Sequence, residues 1–128
     1  MDREKLLDLY KKYELEKSDV YKHQHYVIIT RQGIEKIAAK ENIAISYEVV
    51  KCEPNFAVVK AYAKKEEVQI ETFGSALKGA NYKDGNCNSW YVMEMAEKRA
   101  LSRSVLKLTG FYELGVFGED ESDDFKRK

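Results

Sequence analysis

The sequence predicts an α+β protein: an antiparallel three-stranded β-meander packed against a long C-terminal helix, a β-β-β-α core, with an additional N-terminal helix. Three observations carry this. Residues 43–75 alternate apolar and polar side chains with period two and are divided by two short turn signals. Trp90–Gly110, WYVMEMAEKRALSRSVLKLTG, is built mostly of good helix formers and meets a glycine only at its end. Asp2–Tyr13 places Leu6, Leu7, Leu9, Tyr10 and Tyr13 at helical spacing among charged residues.

Taken in order, the first helix (about residues 2–14) docks an apolar stripe on the domain or on a neighbouring subunit. Ser18 and Asp19 punctuate the chain, and His25–Ile29, β-branched and aromatic, reads as a short strand. Thr30 caps a helix running to Lys40, with Ile34, Ile37 and Ala38 facing inward. The meander follows. Ile43, Ile45, Tyr47 and Val49 alternate in its first strand, and Glu53-Pro54-Asn55 makes the first turn. In the second strand Ala57, Val59, Ala61 and Ala63 form a small apolar face suited to a helix, whereas Lys60, Tyr62 and Lys64 occupy the other face. Lys65-Glu66-Glu67 turns the chain into a third strand through Val68, Ile70 and Thr72, alternating with Gln69, Glu71 and Phe73. Leu77–Ser89 is a polar loop containing Gly79, Gly85, Asn81, Asp84, Asn86 and Asn88. Asn88 or Ser89 is placed to cap the long helix, which would be about 30 Å long. Phe111–Phe117 adds an apolar strand or lid. Residues 1–118 thus make one domain, with a core at about 20–118, and 119–128 (EDESDDFKRK) read as a disordered, mainly acidic tail.

Composition narrows the partners. The formal net charge is zero, so no global field draws the chain to nucleic acid or to an anionic membrane. Outside residues 119–128 there are 19 bases and 17 acids, a faintly basic body. No run approaches the roughly 18 apolar residues of a membrane span, so no membrane partner is expected. The opening MDREK lacks a signal-like apolar region, and Cys52 and Cys87 stand apart, which together predict a reducing cytoplasmic setting.

Catalytic signatures are missing. There is no GxxxxGK[ST], no GxGxxG opening a helix and no CxxC. His23 and His25 are the only histidines and have no matching ligand pair, so no metal and no cofactor is expected. Glu48, Glu53 and Glu71 with nearby lysines resemble a nuclease set only to the extent that so charged a sequence generates one by chance. The chain therefore reads as non-enzymatic. A binding pattern is better represented. Lysines and tyrosines interleave at Tyr47, Lys51, Lys60, Tyr62 and Lys64, and again at Lys78, Tyr82 and Lys83. Cations that neutralise phosphates beside rings that stack on bases suit sequence-tolerant single-strand binding. On the long helix Arg99, Arg103 and Lys107 fall at i, i+4 and i+8, a line of cations that also reads as a solvated face.

The meander ending in Gly74-x-Ala76, a glycine-containing loop, and a helix carrying Ala96, Lys98, Arg99, Ala100, Leu101, Arg103 and Gly110 together resemble the single-strand annealing proteins, the superfamily of Rad fifty-two and its phage relatives of the Erf and Sak types. The resemblance covers about residues 20–118 and rests mainly on element order and spacing. It implies a non-enzymatic protein that binds and anneals single-stranded DNA in recombination or replication, in a bacterial host cytoplasm if phage-encoded. It also implies a homo-oligomeric ring or filament, with DNA in a basic groove between meander and helix. On that model Lys98, Arg99, Arg103 and Lys107 contact phosphates from the helix side, and Lys60, Tyr62, Lys64, Lys78 and Lys83 contribute from strand and loop. The acidic tail then mimics DNA, recruits a protein partner or simply aids solubility.

Two other readings compete. A structural or protein-interaction subunit without nucleic-acid contacts would use the first helix and Phe111–Phe117 as adhesive surfaces, and zero net charge favours it. A double-stranded RNA-binding domain shares the α-β-β-β-α order, but its cations belong at the start of the last helix, where this chain has Trp90-Tyr91-Val92-Met93-Glu94.

Overall fold

The computed structural model describes residues 3–23, 26–79 and 91–119, and every structural statement below concerns these residues. The elements run α1 (Arg3–Lys12), a 3-10 turn (Lys17–Asp19), β1 (Val20–His23), β2 (Tyr26–Ile29), α2 (Arg31–Lys40), β3 (Ala44–Glu53), β4 (Phe56–Lys65), β5 (Val68–Leu77), α3 (Val92–Thr109), a 3-10 turn (Tyr112–Leu114) and β6 (Val116–Gly118). The α+β class, the meander and the long C-terminal helix packed on it are all present. β3, β4 and β5 form one antiparallel sheet in that order. Pro54-Asn55 and Glu66-Glu67 are two-residue connections, since Glu53 pairs with Phe56 and Lys65 with Val68.

The structure adds a second sheet that the sequence pattern does not reveal. β1 and β2 make an antiparallel hairpin, and β6 pairs parallel to β2. At four, four and three residues these strands are too short for a period-two signal. The expected apolar segment after the long helix is thus a 3-10 turn followed by the short strand β6. β5 also outlasts expectation, carrying Gly74 and Ala76 inside the strand before Leu77. Most of the polar loop, Trp90, His25, and the candidate caps Asn88 and Ser89 lie outside the described residues.

Local chemistry explains the helices. Thr30 Oγ1 accepts the Gly33 amide at the start of α2. α3 stops at Gly110, whose φ of 89° is left-handed. Around α3 two apolar clusters form. Toward its C-terminal half, Val105 and Leu106 pack with Tyr13, Ile29, Ile34, Ile37, Phe111 and Val116, which brings α1, α2 and the small sheet together. Toward its N-terminal half, Val92 and Ala96 pack on Ala57, Val59 and Ala76. The expected small face of β4 is there: Ala57, Val59, Ala61 and Ala63 are all buried.

Close approach, not bulk, joins α3 to the meander. A Cβ on Gly74 would overlap the Ala96 carbonyl oxygen and stand 2.6 Å from the Ala100 nitrogen, so backbone meets backbone here. One step along β5, the buried hydroxyls of Thr72 and Ser104 lie 2.6 Å apart and each 2.8 Å from the Ala100 carbonyl oxygen. Two protons serve this three-membered set, and the polar atoms at the seam are satisfied within the protein. The helix consequently lies over β4 and β5. β3 extends beyond it, and no residue of β3 is fully buried.

Candidate nucleic-acid interface

The cations expected on α3 divide into two groups. Arg99 is only 2% exposed, and its Nη1 donates to the Ser75 carbonyl oxygen at 2.7 Å. Arg103 Nη1 donates to the Phe73 carbonyl oxygen at 2.8 Å. Both arginines therefore reach across the outer edge of β5 and occupy strand carbonyls. Lys98 is half-buried, and Lys107 is exposed with its Nζ 5.3 Å from the centre of the Tyr112 ring. Sequence spacing alone places Arg99, Arg103 and Lys107 on one line, but the close approach at Gly74 rotates the first of them into the protein.

Strand alternation separates the remaining candidates from the helix. Lys60, Tyr62 and Lys64 project from the face of β4 opposite the buried Ala57–Ala63 set. The sheet itself lies between them and α3. The expected single groove between meander and helix is therefore corrected: that space is filled by the Gly74, Ala96 and Ala100 backbone contact. Lys78 continues from β5, where its amide donates to the Asn55 carbonyl oxygen at 2.6 Å. Lys83 lies outside the described residues.

What the structure does bring together is an open sheet face centred on Lys60. Register places Glu48 of β3 and Phe73 of β5 directly opposite Lys60, and Ser46 and Glu71 opposite Tyr62. Lys60 Nζ stands 5.0 Å from the Tyr62 ring centre, 5.6 Å from that of Phe73, and 3.0 Å from Glu71 Oε1. Tyr62 donates its hydroxyl to Glu48 Oε1 at 2.7 Å. The Glu71 contact raises the Lys60 pKa above its ordinary value, and the bond to Glu48 raises that of the Tyr62 phenol. Lysine and phenol are thus both held in their protonated forms at neutral pH. Lys64 and Lys51 continue the same face at either end, the latter opposite Val58 and 3.6 Å from Glu53 Oε1.

Sequence reasoning missed Phe73, which is 49% exposed and pairs its ring with Lys60. Its signal was available in the two-residue Glu66-Glu67 turn, which sets the β4–β5 register and so decides which β5 side chain stands beside Lys60. The acids Glu48 and Glu71, set aside in the sequence as chance neighbours, are direct partners of the candidate residues. Among the described residues no group of three or more His, Cys, Asp or Glu is placed to hold a metal ion, and no helix is long and apolar enough to cross a membrane.

No protein-family model, curated protein or solved structure matches this chain. The geometry of the open sheet face offers a flat surface with two accessible rings about a cation, edged by lysines, whose positive charge is largely balanced by neighbouring carboxylates. Such a surface can stack planar groups and make a small number of phosphate contacts.

A second feature lies between α1 and β1. A groove of about 390 Å³ is lined by Leu6, Leu7, Tyr10, Val20, Tyr21 and Val27 together with Arg3 and Lys22.

Proposed function

We propose that this chain is a non-enzymatic single-strand DNA-binding and annealing protein, acting as a homo-oligomer in the cytoplasm of a bacterial host during phage-type recombination or replication. The observation that carries the reading is the uncovered sheet face on which Tyr62 and Phe73 flank Lys60. Base stacking on such rings contributes about 1–3 kcal/mol per base and tolerates any sequence, as annealing requires. The annealing step and the phage setting draw on the resemblance of the α3 sequence and of the element order to the single-strand annealing superfamily. Lys51 and Lys64, on the same sheet face as the rings, are the cations for phosphate contact, whereas Lys98 and Lys107 lie on the helix side of the sheet. Arg99 and Arg103 serve the fold in this version of the site.

The test is fluorescence anisotropy with a labelled single-stranded oligonucleotide, titrated with salt from about 50 mM upward. Binding should weaken with a shallow salt slope of one to three phosphates, because the lysines on the face are partly neutralised. Tyr62→Ala with Phe73→Ala should weaken binding at least about tenfold, the loss of one stacked base. If wild-type protein does not bind at the lowest salt, or the double variant binds equally well, this reading fails.

The groove between α1 and β1 favours a second reading, an interaction subunit that takes an apolar segment of another protein. Absence of oligonucleotide binding together with Leu7→Glu-sensitive capture of a partner protein would support it in place of the first.

A further inference from the structure

The geometry points to the free edge of β3 as the site where a second copy of this chain docks, strand to antiparallel strand, about a two-fold axis through Val49 and Val50. The meander has two edges, and only one is closed. Along β5 the arginines of α3 occupy the Phe73 and Ser75 carbonyls. β3 offers ten residues, about 33 Å of strand, at the margin of the sheet where α3 makes few contacts. Its apolar side chains stand in solvent: Tyr47 is 40%, Val49 57% and Val50 51% exposed. A long apolar edge is a template for another strand.

The identity of that strand follows from charge and register. The β3–β4 pairing skips Val50, because Val49 pairs with Val59 and Lys51 with Val58. This bulge puts Glu48 and Lys51 on the same outer face, opposite Lys60 and Val58 respectively, although they are an odd number of residues apart. In an antiparallel partner of identical sequence, an axis at Val49–Val50 sets Glu48 against Lys51 of the second copy, and Lys51 against its Glu48. Tyr47 then faces Cys52 of the second copy, bulge lies opposite bulge, and neither strand loses register. A copy of the same strand supplies both charge pairs at once. A bulge and a lysine are also devices by which an edge strand avoids pairing, so the oligomeric state decides.

The contact would join two meanders into one six-stranded sheet. Its outer face would carry two Lys60–Tyr62–Phe73 platforms related by the two-fold axis, hence of opposite polarity. Two complementary strands also run antiparallel. This consequence rests on the single-strand reading above, whereas the interface itself does not.

Sedimentation velocity over a range of protein concentrations, without nucleic acid, tests the interface. Wild-type protein should form a dimer. Glu48→Lys alone and Lys51→Glu alone each set like charges opposite one another and should weaken dimerisation about tenfold, while circular dichroism stays native. An equimolar mixture of the two single variants, and separately the Glu48→Lys/Lys51→Glu double variant, should recover the wild-type dimer. A monomer at all concentrations, or a dimer indifferent to both single changes, overturns the proposal. A charge-sensitive dimer that fails to bind oligonucleotide upholds the interface and removes the strand-pairing role. A monomer that binds oligonucleotide does the reverse.

Discussion

At β5, the edge of the meander is built into the fold: Arg99 and Arg103 arch from α3 onto the Ser75 and Phe73 carbonyls, and Thr72 meets Ser104 at the seam. At β3, a strand of equal length leaves Tyr47, Val49 and Val50 in solvent. The difference traces to one glycine. Because Gly74 admits the α3 backbone, the helix settles over β4 and β5 and cannot also cover β3. A cation on a helix is therefore no guide to ligand binding until the position of the helix on its sheet is known. A cation is structural at position 99, as arginine, and solvent-facing at position 107, as lysine.

Substitutions can break this comparison, beginning with the strongest. Gly74→Val should cost about 3 kcal/mol or prevent folding, since the new side chain would overlap the Ala96 and Ala100 backbone. Urea unfolding measures it, and a near-native midpoint would mean that the helix is not held where described. Arg99→Met retains the apolar stem but removes the donor to Ser75, and should cost about 2 kcal/mol. The matched control Lys98→Met should stay within about 0.5 kcal/mol, and equal losses at the two positions would dissolve the distinction between them. Thr72→Val removes one hydroxyl from the buried three-membered set and should cost about 1 kcal/mol, because Ser104 still reaches the Ala100 carbonyl. Smallest of all, Val49→Thr on the open edge should change unfolding of the dilute protein by less than about 0.5 kcal/mol. A loss comparable to that of Thr72→Val would show that β3 is covered in the monomer.

Much of the meander was legible in the residues. Its strands follow from alternation, its turns from Glu53-Pro54-Asn55 and Lys65-Glu66-Glu67, and the helix-bearing face of β4 from Ala57, Val59, Ala61 and Ala63. The ends of α2 and α3 were legible at Thr30 and Gly110, because capping depends on the nearest neighbours in the chain. The small sheet was not. Its strands are short, and the parallel β2–β6 pairing joins segments nearly ninety residues apart, as Ile29 with Gly118. The site was half legible. Lys60 and Tyr62 were found from interleaving, but Phe73, Glu48 and Glu71 became their neighbours only through register.

By itself, then, the sequence determined the periodic elements, the turns between them and the face of β4 that accepts a helix, all consequences of interactions within a few residues. Only the tertiary structure decided that Arg99 is internal, that Phe73 stands beside Lys60, and that β5 is closed while β3 is open. Those outcomes depend on how α3 is rotated and translated on the sheet, which is set by a backbone contact between Gly74 and Ala96 that no local pattern records.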